Sequence, residues 1–243
     1  MKRGTRGVTL LELLIAVSLV GLVSLGILMA IRVGFGALEK SNTRLMENRR
    51  AAGAQQILEQ QIAGFMAVQG DCVETPDRPP TRMSFFQGDI ESMRFVSSYS
   101  LQEAARGMPR LLEFQVIPGD NREGVRLVVN EHLFTGSLST APFCFGRGPD
   151  PVTGVPVPRF PPIQVGPRSF VLADKLAFCR FMYREPAPPP EFERWTPRWV
   201  RADLPMAIRV EMAPLRPDPS RVQLVSLTAP VRVTKDPMVS YEN

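Results

Sequence analysis

The chain has a single histidine, His132, and three cysteines, Cys72, Cys144 and Cys179, with no Cys-x-x-Cys pair among its 243 residues. That inventory excludes the usual zinc sites, which draw four ligands from closely spaced cysteines and histidines. Gly-x-Ser-x-Gly, the phosphate-binding glycine loop and His-Glu-x-x-His are all missing, so the sequence has no recognisable nucleophile elbow, nucleotide cradle or zincin helix. A serine or cysteine nucleophile would depend on His132 as its base, and Val129-Asn130-Glu131-His132-Leu133 reads as the end of a strand. The chain is therefore expected to be non-enzymatic, with no cofactor and no metal.

Proline is absent from Met1 to Gly70, although 24 occur in the chain, and charge is absent from Leu13 to Ile31. A helix rises ~1.5 Å per residue, so the uncharged run is ~28 Å long and matches one hydrocarbon core. Lys2, Arg3 and Arg6 precede it and place the N-terminus on the cytoplasmic side, with everything after Arg32 on the opposite face. Glu12 sits one helical turn inside the apolar stretch that opens at Val8, and a carboxylate costs roughly 2.5–3.5 kcal/mol at the bilayer centre unless it meets a cation.

Gly7 followed by Val8-Thr9-Leu10-Leu11-Glu12, with a short basic leader before and an apolar run after, resembles the class III signal of type IV pilins and of the pseudopilins of type II secretion. The resemblance implies cleavage by a prepilin peptidase after Gly7, N-methylation of Val8, and a role for Glu12 in assembly, where it meets the amine of a neighbouring subunit. Carboxylate and ammonium attract strongly in low dielectric, whereas either alone is penalised. Val8 stands where the family most often has phenylalanine. A secretory signal peptide would instead end in small residues such as Gly34-Phe35-Gly36-Ala37, but its apolar region is shorter, ~7–15 residues, and lacks a glutamate. A plain bitopic anchor accounts for neither Gly7 nor Glu12.

Loss of the leader would leave 26 basic and 24 acidic side chains, a net +2 in place of the +5 of the whole chain. The basic balance thus gives no argument for nucleic-acid binding. On the exported side disulfides form, and an odd cysteine count leaves at least one thiol unpaired. The pairing among Cys72, Cys144 and Cys179 stays open, with one structural disulfide and one buried thiol expected.

Four regions are expected: a leader at 1–7, a transmembrane half-helix at 8–32, an amphipathic half-helix at 33–68 and a β-rich periplasmic domain at 69–243. Leu38, Leu45, Ala52, Leu58, Ile62 and Phe65 fall at helical spacing, so one helix is read from about Thr9 to about Met66. Strands are expected at Met93–Ser97, Leu111–Ile117 and Val125–Val129, the last two joined as an antiparallel hairpin by the turn at Pro118–Gly124. A proline-rich excursion covers Ala141–Pro167, and regular structure resumes at Phe170–Leu172 and Lys175–Tyr183. A second proline loop, Pro186–Pro190, leads to Trp195 and Trp199, both expected to cap the sheet core. Two further strands are read at Met206–Met212 and from Val222 to Leu227 or Val233. The fold class is α+β, a pilin-like long helix packed on an antiparallel sheet with proline-rich loops.

Phe181-x-Tyr183-Arg184, the tryptophan pair and Leu204-Pro205-x-Ala207-Ile208-Arg209-Val210 resemble the C-terminal strands of J-type minor pseudopilins. That likeness implies a place at the tip of a periplasmic pseudopilus, partners of the I and K types and the major pseudopilin, and a motor ATPase elsewhere in the system. The alternatives are a minor pilin that initiates a type IV pilus and, in a different class, a membrane-anchored periplasmic enzyme.

Overall fold

Within the proline-free N-terminal stretch, residues 10–63 form one uninterrupted helix in the computed structural model, which describes residues 9–74, 77, 79–218 and 226–232. The helix, α1, spans Leu10–Ala63. The chain divides into two compact units, Met1–Asn48 and Arg49–Asn243. In the first, every residue from Thr9 to Thr43 is exposed.

The second unit begins within α1, because the last turns of the helix supply core. Leu58 and Ile62 are fully buried, and Ala54 nearly so. Burying a leucine or isoleucine side chain is worth about 1.5–3 kcal/mol, so these two residues fix the end of the helix to the domain. The helix stops at Ala63 rather than near Met66. A side chain at Gly64 would lie 2.6 Å from Ser97 Oγ, so glycine lets the chain approach the sheet and turn into a strand.

The strands are β1 (Phe65–Met66), β2 (Gln69–Cys72), β3 (Thr81–Ser84), β4 (Gln87–Gly88), β5 (Ser92–Ser100), β6 (Ala105–Pro118), β7 (Val125–Leu133), β8 (Arg147–Pro149), β9 (Pro156–Pro158), β10 (Phe170–Pro186), β11 (Glu193–Thr196), β12 (Ala207–Pro214) and β13 (Leu227–Pro230). The main sheet has the order β1-β5-β6-β7-β10-β12-β13, with β4 beside β5 and β11 beside β10. All its pairings are antiparallel. The architecture is α+β, a long N-terminal helix with an antiparallel sheet domain.

The β6–β7 hairpin forms with Leu112 opposite Glu131 and Phe114 opposite Val129. Its turn requires glycine at position 124: φ is +63°, and a Cβ there would lie 2.3 Å from the Leu176 carbonyl oxygen. The two segments expected around Asp174 are one strand, β10, whose pairing with β7 slips twice, before and after Ala173. The strand read as starting at Val222 is seen only as β13, and residues 219–225 and Val233 lie outside the described residues.

Alternation along the strands creates two faces. Phe95, Leu112, Phe114, Val129, Phe181 and Val210 join Leu58 and Ile62 in the larger core. Val96 and Leu111 point the other way, into a second core with Cys72, Met83, Phe85 and Cys144. Over β5, β6 and β7 the proline-rich excursion covers that second face. It is more structured than a loose surface loop: a 3-10 segment at Ser137–Phe143 runs into it, and it contains the β8–β9 hairpin.

Trp199 caps the larger core, its ring 6.5 Å from both Phe86 and Tyr183. Trp195 does not. Its partner across β10 is Arg184 rather than the core residue Tyr183, so the strand alternation sends it to the opposite face of the sheet, where the Arg209 guanidinium lies 3.9 Å from its ring centre.

Candidate assembly helix

Thr9 starts the helix. The Glu12 backbone N–H reaches both Thr9 Oγ1 at 3.3 Å and the Thr9 carbonyl at 3.1 Å, so Thr9 caps three residues ahead of an acid. Thr-x-x-Glu is the capping-box spacing, and it places the Glu12 carboxylate in the first turn, near the positive end of the helix dipole. That local role adds to the intersubunit one implied by resemblance. The pattern was readable in the sequence but is masked there by the more conspicuous apolar run.

From Leu13 to Ile31 the helix carries no charge and is exposed all round. Leu13, Val17, Val20, Leu25 and Leu28 are each more than half exposed. A helix with this surface needs lipid or other helices as neighbours. A side chain built at Gly21, Gly26, Gly34 or Gly36 meets nothing within 4 Å. Ser18 donates to the Leu14 carbonyl at 2.8 Å, so its hydroxyl is satisfied within the helix and tolerates an apolar environment. Gly7 and Val8, where cleavage and methylation are expected, lie outside the described residues.

In the domain, Cys72 and Cys144 form a disulfide and Cys179 is a buried free thiol. The bond ties β2, just after α1, to the end of the 3-10 segment. Burial pushes the Cys179 thiol up to about 12, far from the thiolate that exchange chemistry needs.

The sequence gives no sign of a polar line beneath the excursion. Arg94 on β5, Glu113 on β6 and Asn130 on β7 stand side by side. Arg94 Nε donates to Glu113 Oε1 at 2.7 Å, and its Nη2 donates to the Pro161 carbonyl at 2.7 Å. Asn130 Nδ2 donates to the Gln164 carbonyl at 2.9 Å. His132, half-exposed, completes the line with Nε2 3.0 Å from Glu113 Oε2. Burial pushes the Glu113 carboxyl up, but hydrogen bonds from His132, Arg94 and Asn130 outweigh it and hold the group below its ordinary value. These side chains pin Pro161 and Gln164 to the sheet, and His132 is thereby engaged as a structural partner. Among the described residues no group of three His, Cys, Asp or Glu side chains is placed to hold a metal ion.

A family profile described as the prokaryotic N-terminal methylation motif matches residues 2–28. No curated protein matches the chain. The methylation motif and the long apolar helix that follows it together support a place in the type IV pilin-like superfamily, processing by a prepilin peptidase, assembly with other pilins and anchoring in a membrane.

Proposed function

We propose that this chain is a minor pseudopilin of a type II secretion system, of the J type, acting as an assembly subunit and not as an enzyme. The observation that carries the reading is an N-terminal methylation motif running into a 54-residue helix. That helix is uncharged and exposed from Leu13 to Ile31 and core-forming where it ends. The J-type assignment draws its support from Phe181-x-Tyr183-Arg184 on β10, from Trp195 and Trp199, and from Leu204-Pro205 leading into β12.

In this reading the leader is removed after Gly7, Val8 is methylated, and Glu12 neutralises the amine of a neighbouring subunit as the helices stack. The span crosses the inner membrane once, and the domain stands in the periplasm at the tip of the pseudopilus with the I- and K-type subunits and the major pseudopilin. There it primes assembly and supports export of folded proteins. Copurification after co-expression tests this: recovery with secretion-system pseudopilins is expected. Recovery with a major pilin alone would instead make the chain an initiator of a type IV pilus.

A further inference from the structure

The sheet has a second surface that neither α1 nor the excursion accounts for. On β10 the residues Cys179, Phe181 and Tyr183 belong to the core, so the intervening Phe178, Arg180, Met182 and Arg184 face the other way. Register extends that face across three strands. Arg180 pairs with Glu211, Met182 with Arg209, and Arg184 with both Ala207 and Trp195. Apart from Ala207, all of these residues are exposed or half-exposed.

The side chains form a ladder of stacked arginines and aromatics. Arg209 lies 3.9 Å from the Trp195 ring centre, and Arg180 5.5 Å from that of Phe178. Glu211 joins two of the cations, 2.6 Å from Arg180 Nε and 3.6 Å from Arg209 Nη1. Arg184 reaches Glu193 at 3.1 Å. Stacking on rings and pairing in rows limit the rotamers of three guanidinium groups, so less entropy is lost when they bind.

We propose that this face of β10, β11 and β12 is a docking surface for the acidic surface of a partner protein, separate from assembly through α1. Three arginines meet two glutamates, Glu193 and Glu211, which leaves the ladder one positive charge in excess. Each guanidinium has five N–H donors in a fork that fits carboxylates. Hydrogen bonds among the described residues engage one donor of each arginine. Tryptophan, arginine, methionine and phenylalanine are also enriched at protein interfaces, and tryptophan and arginine are among the types that concentrate binding energy there. The two glutamates within the ladder disfavour a uniformly anionic lipid surface and suit a patterned protein one.

The test uses the full-length chain in phosphatidylcholine nanodiscs and a fluorescein-labelled peptide of alternating Glu and Ser, read by anisotropy, with a Gln/Ser peptide for comparison. Saturable binding of the Glu peptide that weakens with added salt is expected. Arg209→Gln, Arg180→Gln and Trp195→Ala should each weaken it about tenfold, the effect of losing one good contact. Arg122→Gln and Arg168→Gln, which remove the same charge elsewhere, should not. Arg180 is half-exposed, so its substitution keeps the fold even if Trp195→Ala does not. Four results would overturn the proposal: equal binding of both peptides, equal loss in the control variants, a response only when phosphatidylglycerol is added to the nanodisc, or arginine-dependent self-association by light scattering. None of these outcomes bears on whether the chain serves secretion or a pilus.

Discussion

Arg94 and Glu113 form an ion pair across β5 and β6, 2.7 Å from Nε to Oε1, with side chains only 1% and 5% exposed. A pair this dry is tolerated because its remaining donors and acceptors are used: Pro161 takes an Arg94 N–H, and Asn130 and His132 reach Glu113. Removing one partner strands the other, so Arg94→Met should cost about 3–5 kcal/mol in denaturant unfolding. Replacing both, as Arg94→Met with Glu113→Leu, should cost much less.

The same carboxylate gives a pH dependence. Its folded value lies below its ordinary one, so its contribution is fully present above the ordinary glutamate value of about 4.3 and is lost as pH falls through the lower folded value. Unfolding midpoints followed from neutral pH down to acid should show stability falling below about pH 4. The fall should be smaller in the doubly substituted variant, and an identical fall in both would remove Glu113 from the account.

The Cys72–Cys144 bond closes a loop with a sequence separation of 72. Chain-entropy arguments for a loop of that size give about 4 kcal/mol. Cys72→Ser with Cys144→Ser should therefore lower the unfolding midpoint and open the excursion to proteolysis. Cys179, with its thiol pushed up to about 12, should resist iodoacetamide in the native protein and label fully in denaturant.

Gln61 is fully buried on α1, and neither its Oε1 nor its Nε2 has a hydrogen-bond partner among the described residues. An unsatisfied buried amide costs about 1–3 kcal/mol. Gln61→Leu should therefore raise the thermal midpoint, and a drop would show that the amide has a partner in solution.

The proposed assembly role of Glu12 can be separated from its place at the helix start. Glu12→Gln keeps an amide at the capping-box position opposite Thr9, whereas Glu12→Ala keeps neither amide nor charge. If the charge matters for assembly, both variants should insert into membranes and both should fail to copurify with partner subunits. Rescue by glutamine would assign Glu12 to the helix start alone.

How much was legible follows from the kind of signal involved. The helix was readable because proline is absent through Gly70, and the β6–β7 hairpin because branched and aromatic residues flank a Pro-Gly-Asp-Asn turn. Arg94, Glu113 and Asn130 were not legible, since polar residues alternating with apolar ones in a strand read as a solvent face until something packs over them. The excursion that does so has no periodicity of its own. Trp195 was misplaced for a related reason: a large ring suggests core, but strand parity sets its face. Thr9 carried a readable capping signal that the apolar run overshadowed.

Processing at the N-terminus tests the central claim most directly. When the chain is co-expressed with a prepilin peptidase, intact-mass measurement should show loss of residues 1–7 and one added methyl group on Val8. Retention of the leader, or cleavage near Ala37, would contradict the pilin-like account.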